Sequence, residues 1–117
     1  MYIRVALVAL ALAGPTVAIA AEPVGHYKIE GKNPSGGEGY TGTAVVTKTG
    51  DTYKVVWTID GETYVGTAIA NNEFIAISYK SGDNNGLAMY GEKGSNWDGI
   101  WAYAGGKTIG TETWTRE

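Results

Sequence analysis

The sequence predicts an all-β protein, a single antiparallel up-and-down barrel of about eight strands that follows an N-terminal signal peptide. Three observations predict this fold class. Beyond residue 20 there is almost no helical periodicity, and the chain is rich in threonine, valine, tyrosine and tryptophan, which favour pleated strands. Pairs of turn-forming residues interrupt these runs at short intervals, as in consecutive hairpins. Closing such a meander into a barrel removes the exposed edges of an open sheet.

The first 20 residues have the three parts of a secretory signal. A short start contains one positive charge, Arg4, and is followed by nine apolar residues, Val5 to Ala13. Gly14-Pro15 breaks this run, and Ala18 and Ala20 are the small residues that a signal peptidase reads. The apolar run is too short to span a bilayer. We therefore expect cleavage after Ala20, a signal peptide at 1–20, a barrel domain at 21–117, no membrane span after cleavage, and a periplasmic or secreted protein.

Eight strands and their turns can be placed from the pattern. The longer loops fall at 32–38 and 80–85, and four residue pairs tolerate the positive φ of a two-residue hairpin turn: Gly50-Asp51, Asp60-Gly61, Asn71-Asn72 and Gly105-Gly106. The predicted strands are Val24–Gly31, Tyr40–Thr49, Thr52–Ile59, Thr63–Ala70, Glu73–Tyr79, Gly86–Gly91, Asn96–Tyr103 and Thr108–Thr115. With no cysteine in the chain, a packed core alone must stabilise this barrel.

The motif Tyr-x-Gly-Thr-Ala occurs twice, at 40–44 and 64–68. A turn at Gly50-Asp51 places Ala44 opposite Trp57, and the next turn places Tyr64 or Gly66 opposite the same indole. Side chains alternate between the two faces of a strand, so the small residues of both motifs flank Trp57 on one face. Small residues leave room for a ring to lie over bare backbone. We interpret the motif as a packing device that lets the strands bend toward closure.

The C-terminal hairpin repeats this device. A turn at Gly105-Gly106 places Trp101 opposite Gly110, and Trp97 opposite Trp114. Glu112 shares their face, and a carboxylate among indoles must be paired, hydrogen-bonded or neutral. The sequence favours an ion pair with Lys28, Lys107 or Arg116, and the alternative is that Glu112 orients a ligand in a barrel mouth. The candidate ligand-binding residues are Trp57, Tyr64, Trp97, Trp101, Glu112 and Trp114.

The opposite face of the middle strands is not cleanly polar. Val45, Val56 and Val65 line up across three predicted strands, with Ile69 and Phe74 beside them. An apolar patch on the outside of a solvated barrel indicates an interaction site or a covered surface. A contact with another subunit and a covering loop or terminus are both consistent with this pattern.

No catalytic or metal-binding arrangement is evident. Without the signal the chain has 8 basic and 12 acidic residues, and the positive footprint that nucleic-acid binding needs is missing. His26, the single histidine, has no zinc ligands or serine partner at a suitable spacing. The Asp83–Asn85 loop lacks a full calcium ligand set, and the glycines at 36–39 lack the lysine of a phosphate loop. We expect neither enzyme activity nor a cofactor.

Three resemblances are visible. Gly25-His26-Tyr27 and Arg116 resemble the lipocalin and avidin (calycin) barrels, in which a basic residue near the last strand packs over an aromatic residue of the first. The segments GHYKIEGKNPSGGEGYTGT and WDGIWAYAGGKTIGTETWTR, with YKVVW and YVGTAIA, resemble a family of small exported proteobacterial proteins, some of which are labelled fibronectin-binding. The stretch from Trp97 to Trp114 also resembles a single membrane-occupation (MORN) repeat.

The sequence therefore predicts an exported, non-enzymatic binding protein. Its target is a small ligand in the barrel interior or a protein outside the cytoplasm. An adhesin-like or inhibitor-like module, a homodimer contact and a structural envelope protein are the alternatives. The interior volume of the barrel, filled or open, is the observation that separates these hypotheses most directly.

Overall fold

Side chains alternate between a buried and an exposed face along each strand of residues 22–117, the part of the chain that the computed structural model describes. In the last strand Gly110, Glu112 and Trp114 are buried, whereas the threonines between them are exposed. This period of two is the pattern of a sheet with one face on a core and one in water. The predicted signal peptide, residues 1–20, lies outside the described residues.

Eight strands form a closed antiparallel barrel in which each strand pairs with the next and β1 pairs with β8. The strands are β1 (Gly25–Lys32), β2 (Gly39–Thr49), β3 (Thr52–Ile59), β4 (Glu62–Ala70), β5 (Phe74–Ser81), β6 (Asn84–Lys93), β7 (Asn96–Tyr103) and β8 (Gly110–Arg116). A short 3-10 turn, Pro34–Gly36, lies between β1 and β2. The predicted fold class and strand order are confirmed, and the strand limits differ from the predicted ones by a few residues.

The turns agree with the prediction in part. Gly50, Asp60, Gly61 and Gly105 have positive φ, as predicted for hairpin turns. The prediction for Asn71-Asn72 is wrong, because Ser35 and Asp60 are the only non-glycine residues of the described chain with positive φ. Instead, the Asn71 side chain accepts hydrogen bonds from the backbone N–H groups of residues 73 and 74. Such an Asx turn needs no left-handed residue.

Two loop lengths also differ from the prediction. The predicted loop at 80–85 is a two-residue turn at 82–83, because β5 continues to Ser81 and β6 begins at Asn84. The predicted two-residue turn at Gly105-Gly106 is a six-residue connection, 104–109, between Tyr103 and Gly110. The register of the hairpin is nevertheless as predicted, with Trp101 opposite Gly110 and Trp97 opposite Trp114.

The two ends of the barrel are built differently. We call the end formed by 33–38, 60–61, 82–83 and 104–109 the open end, and the end formed by 22–24, 50–51, 71–73 and 94–95 the closed end. At the closed end the Arg116 guanidinium lies 4.8 Å from the centre of the Tyr27 ring. Arg116 donates to the Val24 carbonyl, and the Tyr27 hydroxyl donates to the Pro23 carbonyl. These contacts hold Pro23 and Val24 against the closed end.

The fully buried large side chains lie mostly toward the closed end. Trp97 and Trp114 are fully buried, and the Tyr27 and Trp114 rings are 5.1 Å apart. The other fully buried large side chains include Tyr27, Ile29, Val46, Val55 and Ile75. Burial of such aromatic and aliphatic surface is the main contribution to the stability of a cysteine-free barrel.

In residues 22–117, none of the helical turns has the length and apolar character needed to cross a membrane.

Candidate functional site

A cavity of about 230 Å³ lies inside the open end of the barrel. Seven aromatic rings line it: Tyr40, Trp57, Tyr64, Tyr79, Tyr90, Trp101 and Tyr103. Glu112 and Asp60 supply the acidic groups of the lining, and Asn33, Ile59 and Ala88 complete it. A concave, mostly aromatic site with a few polar groups is the usual form of a small-ligand pocket.

Glycines opposite the aromatic residues make this lining possible. In four of the cross-strand pairs that join an aromatic residue to a glycine, the ring lies over that glycine: Gly31 and Tyr40, Tyr79 and Gly86, Tyr90 and Gly99, Trp101 and Gly110. In each pair a Cβ on the glycine would overlap the opposing ring. The rings therefore lie across bare backbone of the neighbouring strand, which seats them against the barrel wall.

Trp57 lies in the same layer and has two small neighbours from the repeated motif. Ala44 is directly opposite it on β2, and a Cβ added at Gly66 would come within 3.1 Å of its ring. Tyr64 is opposite it on β4. The predicted packing of Trp57 between the two Tyr-x-Gly-Thr-Ala segments is confirmed. Gly42 has a different role, because a Cβ there would meet the backbone of β3 rather than the indole.

Glu112 is 5% exposed and accepts four hydrogen bonds at the base of the cavity. Its Oε1 atom accepts from Trp57 Nε1 at 2.9 Å, Trp114 Nε1 at 2.7 Å and the Tyr90 hydroxyl at 2.6 Å. Its Oε2 atom accepts from the Tyr40 hydroxyl at 2.6 Å. Indole N–H groups can only donate, so three donors on one oxygen suit an acceptor-only, ionised carboxylate.

The charge of Glu112 has no cationic partner among the described residues. Their one ion pair joins Lys93 and Asp98 at the surface. The favoured pairing of Glu112 with Lys28, Lys107 or Arg116 is therefore wrong. Arg116 instead bonds to backbone carbonyls and to the Tyr27 hydroxyl at the closed end. Neutral donors take the place of a counter-ion, which satisfies the hydrogen bonds but leaves a net negative charge in the cavity.

The tyrosines around Glu112 stay protonated over a wide pH range. Burial, and then the negative charge of Glu112, raise the pKa of Tyr90 and of Tyr40 far above the ordinary value. Burial is also the main cause that raises the pKa of Tyr79 to about 12. Both hydroxyls that hold Glu112 are consequently donors at physiological pH.

Edge-to-face contacts stiffen the cavity wall. The Tyr79 ring meets Trp57 at 5.9 Å, Tyr64 at 6.4 Å and Trp101 at 6.5 Å, with interplanar angles between 70° and 74°. Trp101 also meets Tyr103 at 5.1 Å and 84°. Such pairs are favourable arrangements of aromatic quadrupoles.

At the rim, the Ser35 and Thr108 hydroxyls form a hydrogen bond of 3.0 Å, which connects the loops 33–38 and 104–109.

Four of the six predicted ligand-binding residues line the cavity. These are Trp57, Tyr64, Trp101 and Glu112. Trp97 and Trp114 lie in the filled half of the barrel and do not line it. Trp114 contributes to the site by donating its indole N–H to Glu112. The indole N–H groups of Trp97 and Trp101 are buried and have no hydrogen-bond partner among the described residues.

Sequence reasoning missed much of the tyrosine lining. The missed rings are Tyr40, Tyr79, Tyr90 and Tyr103. A usable signal exists for all four, because the hairpin registers set Tyr40, Tyr79, Tyr90 and Tyr103 each opposite a glycine, as they do for Trp101. Asp60 gives no comparable signal, because it lies in a hairpin turn and reaches the rim of the cavity only when the barrel is closed.

In residues 22–117 no group of three or more histidine, cysteine, aspartate or glutamate residues is placed to hold a metal ion.

The outer apolar patch is exposed in part. Val45 and Val56 are half-buried, whereas Val65, Ile69 and Phe74 are exposed at 41%, 61% and 44%. The patch is larger than predicted, because Leu87, Met89 and Ile100 on β6 and β7 are also exposed. Ile69, Ala76, Met89 and Ile100 are successive partners across β4, β5, β6 and β7.

No family model matches the chain, and the comparison with curated proteins gives no match. The resemblances to calycin barrels and to small exported proteobacterial proteins stay predictions. The contact of Arg116 with Tyr27 that the first resemblance implies is present in the structure.

Proposed function

We propose that this is an exported, non-enzymatic protein that binds a small ligand in the open end of its barrel, in the periplasm or outside the cell. The observation that carries this proposal is the cavity of about 230 Å³, lined by seven rings and one buried carboxylate. The closed end of the same barrel is filled with side chains. A chain that needed only stability could fill both ends in the same way.

Preorganisation of the lining supports a binding role. The Glu112 carboxylate is fixed by four hydrogen bonds, and the rings around it are fixed by glycines and by one another. A site that is already ordered loses little conformational entropy when a ligand binds. The predicted signal peptide at 1–20 supports an extracytoplasmic location. The sequence shows no evident catalytic nucleophile paired with a general base, which supports binding rather than catalysis.

Thermal unfolding of the purified protein against a library of small soluble compounds tests this proposal. A ligand that binds only the folded state raises the apparent stability by about 2.7 kcal/mol at 100 times its Kd. We expect at least one compound class to raise the midpoint in a concentration-dependent way. If no compound raises it, and native mass spectrometry shows no small molecule retained from the expressing cell, the proposal fails.

A pair of variants localises the binding. Ala88 lines the cavity, and Ala102 on the adjacent strand faces outward at the next register position. Ala88→Leu places extra atoms in the cavity and is expected to abolish the stabilisation by ligand. Ala102→Leu adds the same atoms outside the barrel and should leave the stabilisation unchanged. Equal ligand responses in both variants would place the bound compound elsewhere.

A second candidate function is protein contact through the outer patch. The row Ile69, Ala76, Met89 and Ile100 crosses four strands, and Ile69 and Met89 are more than half exposed. We propose a second copy of the chain as the partner; an adhesin-like target such as the one implied by the fibronectin-binding label is the rival. Sedimentation analysis of Ile69→Glu and Met89→Glu tests this. Dimers in the parent protein that dissociate in both variants support it, and a parent that is monomeric at all concentrations contradicts it.

A further inference from the structure

The lining of the cavity has a one-sided charge. Two carboxylates line the cavity, Glu112 at the base and Asp60 at the rim. Among the described residues that line it there is no lysine, arginine or histidine. Glu112 has neutral donors, and within residues 22–117 no cationic side chain pairs with it. A negative charge in a partly closed site of low dielectric attracts a cationic ligand and disfavours an anionic one.

The lining consists largely of tyrosine and tryptophan rings, which are the side chains that attract cations. Cations are attracted to the faces of tryptophan and tyrosine within about 6 Å of the ring centre, and a desolvated site strengthens this attraction. Elsewhere in residues 22–117 the same interaction occurs twice. The Arg116 guanidinium lies over Tyr27 and the Lys48 ammonium lies over Tyr53, each at 4.8 Å from the ring centre. No cationic side chain lines the seven-ring cavity, so its rings have no such partner there.

The carboxylate also has acceptor capacity left. Oε1 accepts three hydrogen bonds, whereas Oε2 accepts one, from Tyr40. Each oxygen of an ionised carboxylate has about two lone-pair sites, so Oε2, which accepts one bond, has about one site left. A ligand N–H group can therefore reach Oε2 without displacing a protein donor, and a fully alkylated ammonium can lie against the rings with its charge opposite the carboxylate.

We infer that the open-end cavity binds a small organic ammonium cation, held by the Glu112 carboxylate and by the faces of the surrounding tyrosine and tryptophan rings. This inference rests on the proposed function and specifies its ligand class. Asp60 adds a second negative charge at the entrance. A neutral compound of the same shape would fill the cavity equally well but would gain neither the cation–π nor the ionic contribution.

Matched pairs of probes test the inference by isothermal titration calorimetry. Choline is compared with 3,3-dimethylbutan-1-ol, its neutral carbon isostere, and butylammonium with butan-1-ol. We expect at least one cation to bind about tenfold or more tightly than its neutral partner, which corresponds to about 1.4 kcal/mol. Ala88→Leu should abolish this binding, since it fills the same space.

The possible results separate this inference from the proposed function. If the neutral partners bind as tightly as the cations, or if only neutral or anionic compounds bind, the ammonium inference is overturned while the ligand-binding function stands. If no compound of either kind binds and the library screen is also negative, both are overturned. A preference for either cation that disappears in Ala88→Leu supports both.

A substitution at the rim gives a second test in a protein that retains its fold. Asp60 has a φ of 52°, a conformation that asparagine adopts readily, so Asp60→Asn removes the charge with little change of shape. We expect about a threefold loss of choline affinity at low salt and no change for its neutral isostere. Asp51→Asn at the closed end removes the same charge from another hairpin turn and should change neither affinity. An unchanged choline affinity in Asp60→Asn at low salt contradicts the electrostatic basis of the inference.

Discussion

The two ends of this barrel share one wall but differ in what they enclose. At the closed end, aliphatic side chains and the indoles of Trp97 and Trp114 fill the interior, and Arg116 lies over Tyr27. At the open end, tyrosine rings pack against facing glycines and line a cavity of about 230 Å³. The same alternation of side chains produces both halves. Both halves share one strand topology, so the identity of the inward-facing residues decides which half is packed and which half is hollow.

Glu112 lies at the boundary between the two halves. One of its donors, Trp114, belongs to the filled core, while Tyr40, Tyr90 and Trp57 line the cavity. A single carboxylate thus connects the core to the site. A substitution of Glu112 should therefore affect both the packed core and the cavity. A substitution within only one half of the barrel should affect that half alone.

The largest expected effect is that of Glu112→Leu. The substitution preserves approximate size but leaves the N–H groups of Trp57 and Trp114 and the hydroxyls of Tyr40 and Tyr90 without an acceptor. Each buried donor left unsatisfied costs about 1–3 kcal/mol, and relaxation reduces the sum, so we expect a loss of about 3–5 kcal/mol. Urea unfolding followed by tryptophan fluorescence measures it. Glu30→Leu on the exposed face of β1 is the matched control and should change stability by less than about 0.5 kcal/mol.

The next effect concerns the contact between β4 and the Trp57 ring. A Cβ at Gly66 would come within 2.6 Å of Ile77 Cγ2 and 3.1 Å of the indole, so Gly66→Val overpacks the core and should cost about 1–3 kcal/mol. The matched control is Gly91→Val on β6, where a Cβ would have no heavy atom within 4 Å. Equal stabilities of the two variants, measured by urea unfolding, would contradict the packing of Trp57 against Gly66.

Much of the fold could be predicted because hairpin turns determine register. Once Gly50-Asp51 is recognised as a turn, the pairing of Ala44 with Trp57 follows by counting, and the structure has that pair. The C-terminal hairpin shows the same logic, since Trp101 and Gly110 pair as predicted although the loop between them is longer. Register is a local property, and local patterns contain it.

The site was less predictable because it depends on closure. Glu112 was predicted to share a face with tryptophans, but its donors come from β2, β3, β6 and β8, and only β8 is its own strand. Which rings converge on one carboxylate is set by barrel curvature, which no single hairpin specifies. The ion pair predicted for Glu112 was wrong for this reason, since neutral donors from across the barrel reach it instead of a cation.

A smaller effect is expected at alkaline pH. The pKa of Tyr90 is raised well above its ordinary value of 10.0 by burial and by Glu112, so the folded state keeps a proton that the unfolded state loses above about pH 10. The free energy of unfolding should therefore be level below pH 9 and fall above pH 10, with Tyr90 contributing up to about 1.4 kcal/mol per pH unit. Urea unfolding from pH 7 to 11.5 should show a shallower fall in Tyr90→Phe than in the parent. Identical slopes above pH 10 would contradict the burial of this phenol.

Ala88→Leu has the smallest expected effect, and its comparison with Ala68→Leu tests the difference between the two ends most directly. Ala68 on β4 and Ala88 on β6 are both buried alanines, at 1% and 5% exposure, but only Ala88 lines the cavity. Ala68→Leu inserts atoms into a packed core and should cost about 1–3 kcal/mol, whereas the same atoms at Ala88 enter empty space and should change stability by less than about 0.5 kcal/mol. Urea unfolding of the two variants without ligand gives both values. A large loss in Ala88→Leu would mean that the open end is packed like the closed end, and a small loss in Ala68→Leu would mean that the closed end is not filled.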